Sequence, residues 1–198
     1  RVLSIGGKVD AQRIRKAHQL QEDEFARITG ASARLMDKDI WINDMPAPTI
    51  QDVVRQARQW KFSKGIEALY IDYVQRIKGD KKLPRHEQVG EIAMTLKELA
   101  RELDIPVVAL AQVNRNVEAR NDKRPCMADL KDSGSIEQEA DVIMTLYRDE
   151  VYDAETSDKG IIEIGVQKNR HGVTGTIRAV WKGEYLTVCG LSEYSDYH

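Results

Sequence analysis

The sequence predicts an α/β fold with a mainly parallel central sheet, helices on both of its faces and an antiparallel β edge near the C-terminus. Two apolar runs, residues 66–77 and 105–112, are hydrophobic on both alternating faces, which is typical of strands covered by helices on both sides. The segment between them carries apolar residues at helical spacing. Further strand patterns follow at residues 140–148, 160–170, 175–183 and 185–191, and Gly-containing turns between the last three predict a hairpin meander.

The region before the first apolar run predicts helices and one short strand. Residues 1–35 have the pattern of short helices, with Asp10 at a cap position, and residues 39–45 (DIWINDM) predict a strand. Thr49 is expected to cap a further helix that ends at Gly65. The apolar face of that helix consists of Ile50, Val53, Val54 and Ala57.

The helix between the two apolar runs has one continuous apolar face. That face consists of Val89, Ile92, Ala93, Leu96, Leu99, Ala100 and Leu103. Asp104 and Pro106 are expected to end the helix, so that the second apolar strand begins directly after it.

Length, charge and hydropathy limit the class of protein. The 198 residues fit one domain, expected at residues 1–191 with a polar C-terminal tail at 192–198. The net charge of −2 argues against a surface that is basic all over, so any contact with nucleic acid has to come from local loops. No run approaches the roughly 20 apolar residues of a membrane span, and a soluble, cytoplasmic protein is expected.

The cysteine pattern argues against a zinc site. Cys126 and Cys189 lie far apart, without a CxxC or Cys/His group, and the four histidines are scattered. The two cysteines could form one disulfide, but free thiols in a reducing cytoplasm are the favoured interpretation.

Asp72 and Gln112 lie at the ends of two apolar stretches, LYID and VVALAQ. Because an open α/β sheet usually binds its ligand at the carboxyl ends of its strands, both side chains are candidates for a nucleotide site. A carboxylate at Asp72 could hold the magnesium of a nucleoside triphosphate, and the Gln112 amide could donate to a γ-phosphate. The alternatives are an aspartate that caps the next turn and an ordinary strand-end amide.

The segment 129–135 (DLKDSGS) has the turn-forming residues of a loop whose backbone N–H groups could face the phosphates of a nucleic-acid strand. The alternative is an ordinary loop with an N-cap for the next helix. The preceding loop adds several basic residues, but acidic ones dilute them, and a solvated face is the favoured interpretation. The basic residues are Arg115, Arg120, Lys123 and Arg124, and the acidic ones are Glu118 and Asp122.

Lys168 and Arg170 close a predicted strand just before His171 and Gly172. A planar guanidinium held there could reach a phosphate in a neighbouring subunit, which is how an arginine finger acts. The alternative is a solvent-exposed basic pair at the end of a hairpin.

The stretch SIGGKVD (4–10) is not expected to bind phosphate, although it contains Gly-Lys. A Walker A loop needs GxxxxGK followed by Ser or Thr, between a strand and a helix. No glycine stands five positions before Gly7, Val9 follows the lysine, and no strand pattern precedes the stretch.

The order of these pieces resembles the C-terminal, RecA-like domain of DnaB-type replicative DNA helicases of bacteria or phages. The resemblance runs from LYIDYVQ through ELDIPVVALAQVNR and DLKDSGSIEQEAD to QKNRHG, and it covers about residues 1–191. DSGSIEQEAD and LYRDE are its most specific parts. It implies a RecA-like three-layer fold.

The resemblance also assigns roles at the nucleotide. It makes Asp72 the Walker B aspartate, which holds Mg²⁺ together with ATP, and Gln112 the residue that senses the γ-phosphate. Lys168 and Arg170 would act in trans on the ATP of the adjacent subunit.

For DNA, the resemblance implies that Lys131, Asp132 and Gly134 contact the phosphates of a single strand. Lys131 stands where the family often has arginine. Lysine keeps the charge but loses the two-pronged phosphate contact.

The activity implied is ATP-driven, 5′-to-3′ unwinding of duplex DNA by a homohexamer, with a helicase loader and primase as partners. The family's phosphate loop, its catalytic glutamate and its N-terminal domain lie upstream of the part that is matched, so we expect this fragment to be inactive alone. One alternative is another RecA-like enzyme, such as a recombinase. The other is a naturally shortened regulator that binds a helicase, its loader or DNA without hydrolysing ATP.

Overall fold

The computed structural model describes residues 1–130 and 134–194, and it divides the chain into two compact units. The first unit comprises Arg1–Trp41, Leu146–Gly165 and Thr176–His198. The second comprises Ile42–Thr145 and Val166–Gly175. The predicted nucleotide residues and Gly134 belong to the second unit.

The N-terminal part of the first unit is helical, as the sequence predicts. It contains α1 (Val2–Gly7), α2 (Ala11–Arg15) and α3 (Glu22–Met36). The Asp10 side chain caps α2 by accepting hydrogen bonds from the backbone N–H groups of Gln12 and Arg13 at 2.6 and 3.1 Å.

The glycines of the GGK stretch serve helix packing. Gly7 is the last residue of α1, and a Cβ atom there would lie 3.3 Å from the backbone oxygen of Arg27 in α3. Lys8 ends the helix in the left-handed conformation, with φ of 49°. The small residues therefore allow α1 and α3 to approach closely, and no strand precedes them in the described residues.

The C-terminal strands follow the predicted order. They are β3 (Val142–Tyr147), β4 (Ile161–Asn169), β5 (Gly175–Lys182) and β6 (Thr187–Cys189), and they form one sheet in that sequence. β5 and β6 are antiparallel, with Val180 opposite Cys189 and Lys182 opposite Thr187. A short helix, α7 (Leu191–Tyr194), follows. The polar tail predicted at 192–198 stays a prediction, since residues 195–198 lie outside the described residues.

One helix of the second unit begins and ends where the sequence predicts, and a second one ends where the sequence predicts. Helix α4 (Ile50–Lys64) starts with a capping box in which Thr49 and Asp52 each accept the other's backbone N–H, and it ends at Gly65 in the left-handed conformation. Helix α5 (Arg85–Leu103) ends at Asp104, which has φ of 49°.

The two apolar runs form a short parallel sheet. β1 (Leu69–Ile71) pairs with β2 (Val107–Ala109), with Leu69 opposite Val107 and Ile71 opposite Ala109. Leu69 joins a buried core built mostly from α4 and α5, whereas Tyr70, on the other side of β1, is 71% exposed. Both strands are shorter than predicted, and a 3₁₀ turn at Val74–Arg76 interrupts the first run.

The prediction of a strand at residues 39–45 is wrong. This segment pairs with no other strand in the described part of the chain, and Ile40 and Ile42 are 60% and 84% exposed. The Asn43 side chain accepts the backbone N–H of Met45 at 2.9 Å, which closes a local turn. An apolar alternation forms a strand only where a neighbouring backbone supplies hydrogen bonds.

Cys126 and Cys189 are free thiols, and both are half-buried. Over the described ranges, no helix combines the length and the hydropathy needed to cross a bilayer.

Candidate functional site

Asp72 and Gln112 come together at the carboxyl edge of the β1–β2 sheet. Pairing continues beyond the strands, because the N–H of Leu110 donates to the carbonyl of Ile71 and the N–H of Val74 donates to the carbonyl of Leu110, both at 2.9 Å. Asp72 and Gln112 thus follow two adjacent parallel strands at the same edge. Both are exposed. The roles of both residues stay predictions.

Gln75 links the two strand ends. Its side-chain Oε1 accepts the backbone N–H of Gln112 at 3.1 Å, and its Nε2 donates to the Gln112 carbonyl at 3.4 Å. Arg85, at the start of α5, donates from Nη2 to the Gln75 carbonyl at 2.8 Å. The backbone of Gln112 is therefore fixed relative to the turn that follows Asp72.

The strand that carries Gln112 leads to the predicted DNA loop. Val113 forms an isolated antiparallel bridge with Leu130, and the N–H of Asn114 donates to the carbonyl of Asp129 at 2.7 Å. Lys131 and Asp132 lie outside the described residues. Gly134, the third predicted DNA contact, is the first residue of helix α6 (Gly134–Glu139).

Asp129 anchors the segment before this loop. Its side chain is 10% exposed, and its Oδ2 receives hydrogen bonds from Arg120 Nη2 at 2.6 Å and from the backbone N–H of Cys126 at 2.8 Å. The hydrogen bond from the Cys126 N–H, with smaller contributions from the Cys126 thiol and Arg120, lowers the pKa of Asp129. Arg120, predicted on a solvated face, therefore has a structural partner.

We expect Asp129→Asn to reduce the free energy of unfolding by about 1–3 kcal/mol at pH 7, because a buried charged acceptor is lost opposite Arg120. A carboxyl with a lowered pKa stabilises the fold above its unfolded-state pKa of about 3.9, and this stabilisation disappears as the pH falls through the folded-state pKa. Urea unfolding at pH 7 and pH 3 measures the difference. The difference in the free energy of unfolding between the wild type and the variant should be smaller at pH 3 than at pH 7. An equal difference at both pH values would contradict a stabilising role of the ionised Asp129 carboxylate.

The matched control is Asp122→Asn. Asp122 also has a lowered pKa, caused first by the backbone N–H of Arg124, but its side chain is 69% exposed. Because solvent screens an exposed ion pair, little change in unfolding is expected at either pH.

Lys168 lies near the end of β4, and Arg170 is the first residue after this strand. Both side chains contact the end of α6. Lys168 Nζ donates to the carbonyl of Glu137 at 2.6 Å, and Arg170 Nη2 donates to the carbonyl of Gln138 at 2.9 Å. Arg170 also pairs with Asp141, Nη1 to Oδ1, at 3.2 Å. Arg170 is exposed and Lys168 is half-buried, so the alternative of a solvent-exposed basic pair stays open.

Asp72 and Gln112 at the strand ends form one group, and the basic residues Lys168 and Arg170 form another. Across the described residues, neither Lys168 nor Arg170 makes a hydrogen bond or ion pair with Asp72 or Gln112. Each group is therefore built by its own elements within one chain.

Sequence reasoning missed Gln75 and Asp141. Gln75 lies in the quoted motif LYIDYVQ, and its position three residues after Asp72 was a usable signal. Asp141 ends the motif DSGSIEQEAD, but nothing in the sequence indicates that Arg170 and Lys97 of α5 both contact it.

Comparison with known proteins identifies relatives along nearly the whole chain. Residues 1–188 match the family described as DnaB-like helicase C terminal domain. The replicative DNA helicase DnaC of Bacillus subtilis (strain 168) is 42% identical over 198 residues, and the replicative DNA helicase DnaB of Geobacillus stearothermophilus is 41% identical. Each alignment covers 99% of this chain and 43% of the relative, so the chain spans less than half of these proteins.

Solved structures show the same similarity in three dimensions. A DnaB-like replicative helicase, studied with its interactions with primase, superposes with a TM-score of 0.91 at 34% identity, covering 96% of this chain and 46% of that one. A second solved structure, of an ATPase domain, gives a TM-score of 0.90 at 35% identity, over 96% and 68% of the two chains. The predicted α/β, RecA-like fold class is confirmed.

Proposed function

Since this chain belongs to the DnaB-like helicase C-terminal domain family, we propose that it is part of the motor of a replicative helicase that unwinds duplex DNA 5′ to 3′ as a homohexamer. ATP is the nucleotide that we propose it hydrolyses, and single-stranded DNA is the strand along which we propose it translocates. A helicase loader and primase are the proposed protein partners. One structural relative was studied with its interactions with primase, which supports the last of these.

The observation that carries the nucleotide part of the proposal is the common edge of Asp72 and Gln112. Open α/β sheets bind ligands beyond the carboxyl ends of their strands, and here a carboxylate and an amide stand at neighbouring ends. Asp72 is exposed and could hold Mg²⁺ alone, because this ion usually takes one or two protein carboxylates together with phosphate oxygens and water. The residues therefore fit a nucleotide with Mg²⁺.

Each residue has a distinct part in this proposal. Mg²⁺ would neutralise charge on the phosphates, and Asp72 would hold it in position. Gln112 would donate its amide N–H to the γ-phosphate, with its backbone fixed by Gln75. Because Val113 is bridged to Leu130, a shift of Gln112 would be passed to the start of the predicted DNA loop.

Arg170 would supply positive charge to the phosphate of an adjacent subunit. Its contacts with Gln138 and Asp141 use two of the five N–H donors of a guanidinium, which leaves donors for a phosphate oxygen. Gly134, at the first turn of α6, would give the DNA backbone close access because it has no side chain.

The proposal predicts that the full-length protein hydrolyses ATP faster when single-stranded DNA is present and unwinds a forked duplex that has a free 5′ tail. The measurement compares ATP turnover, with and without DNA, for the full-length protein and for this 198-residue chain, together with strand displacement on forks of both polarities. We expect activity only in the full-length protein.

Other outcomes have definite meanings. Strand exchange without unwinding would favour a recombinase. Absence of hydrolysis in both proteins, with retained binding to a helicase or to DNA, would favour a regulator. Substantial Mg²⁺-dependent turnover by this chain alone would contradict the expectation that it is inactive by itself.

A further inference from the structure

The carbonyl groups at the end of helix α6 accept hydrogen bonds from Lys168 and Arg170, the two basic residues of the candidate site. The last carbonyls of a helix have no partner inside the helix. Lys168 Nζ donates to the Glu137 carbonyl at 2.6 Å and to the Gln138 carbonyl at 3.3 Å, and Arg170 donates to the Gln138 carbonyl at 2.9 Å. The position of both cations thus depends on the position of this helix.

Asp141, two residues beyond α6, holds Arg170 at two points. Its carboxylate pairs with the guanidinium at 3.2 Å, and its carbonyl accepts the backbone N–H of Arg170 at 2.8 Å. The other carboxylate oxygen is paired with Lys97 of α5, whose side chain is 15% exposed. The hydrogen bond from Lys97, followed by the charges of Lys97, Arg170 and His171, lowers the pKa of Asp141.

Helix α6 is itself seated closely on α5. A Cβ atom on Gly90 would lie 3.0 Å from the Cβ of Ser135, and Ile136 packs against the hydrophobic core. The helix has six residues and is ~9 Å long at 1.5 Å per residue. It therefore sets a fixed, short distance between Gly134 at its start and Arg170 near its end.

We propose that Asp141 is a positioning residue for Arg170. Through Asp141, helix α6 fixes the position of the Arg170 guanidinium relative to Gly134. This inference rests on the proposed function, in which Arg170 acts on ATP and Gly134 faces DNA. Asp141 touches neither ligand. It fixes the direction of the guanidinium, and Lys97 fixes the direction of the Asp141 carboxylate.

The test is Asp141→Asn in the full-length protein, with ATP turnover measured with and without single-stranded DNA. Displacing a catalytic group by about 1 Å costs up to ~100-fold in rate, and we expect the DNA-stimulated kcat to fall at least ~10-fold. KM for ATP and the Kd for single-stranded DNA should stay within about twofold, because Asp141 contacts neither ligand. Turnover without DNA should fall less, so the stimulation factor should decrease.

Two further variants strengthen the test. Lys97→Met releases the other carboxylate oxygen and should give a smaller loss of the same kind, whereas Lys97→Arg should retain most of the stimulation. Asp158→Asn is the matched control, since Asp158 forms a partly exposed ion pair with Arg178 in the other unit. It should leave kcat and stimulation unchanged.

The outcomes separate this inference from the proposed function. If Arg170→Ala abolishes turnover but Asp141→Asn and Lys97→Met leave kcat unchanged, the positioning role is overturned and the role of Arg170 stands. If Arg170→Ala has no effect, the proposed function of Arg170 fails.

Discussion

Replacement of Arg170 by alanine in the full-length protein is expected to abolish DNA-stimulated ATP turnover while ATP still binds. An arginine that reaches the transferred phosphate from a neighbouring subunit contributes about 10³-fold or more to turnover, because it meets charge that develops in the transition state. Since this contact forms mainly in the transition state, the loss should appear in kcat. Nucleotide affinity is measured by equilibrium binding beside steady-state turnover.

Arg178→Ala is the control for this variant. Arg178 is also a partly exposed arginine in an ion pair, with Asp158 at 2.5 Å, but it lies in the other unit. Its replacement should leave turnover unchanged. Turnover that survives in Arg170→Ala would show that the arginine has no catalytic role.

The second large effect is expected for Asp72→Asn. Asparagine preserves size and one oxygen but removes the charge that would hold Mg²⁺, and loss of such electrostatic stabilisation costs ~10²-fold or more in turnover. The measurement is turnover as a function of Mg²⁺ concentration, and the half-saturating concentration should rise. Asp80→Asn is the matched control, because Asp80 is exposed, as Asp72 is, and its side chain accepts the backbone N–H of Lys82 at 2.9 Å. A wild-type Mg²⁺ profile in Asp72→Asn would exclude Asp72 as the ligand.

Mixing the Arg170→Ala and Asp72→Asn variants tests whether Asp72 and Arg170 belong to one site that two subunits share. In a ring with head-to-tail interfaces, Asp72 of an Arg170→Ala subunit can face Arg170 of an Asp72→Asn subunit. Random equal mixing makes about a quarter of the interfaces complete, so part of the turnover should return. A mixture without any activity would contradict a site that two subunits share.

Local sequence determined the elements whose signals are complete within a few residues. Thr49 and Asp52 form the capping box of α4 by themselves, and Gly65 ends this helix in the left-handed conformation. The helical spacing of α5 and the glycine-separated strands β4 to β6 were predictable for the same reason. Residues 39–45 were not, because their alternation gives no information on whether a partner strand lies beside them.

For the candidate site, the sequence by itself determined the residue types and the strand ends at which they stand. Asp72 and Gln112 follow apolar strands, and parallel pairing brings such ends to one edge. Only the tertiary structure decided that Gln75 fixes Gln112, that Asp129 holds Arg120, and that Asp141 joins Arg170 to Lys97. The physical reason is that a charged or amide side chain can bind any complementary group within reach. The partner is selected by the packing of distant segments, which local spacing does not contain.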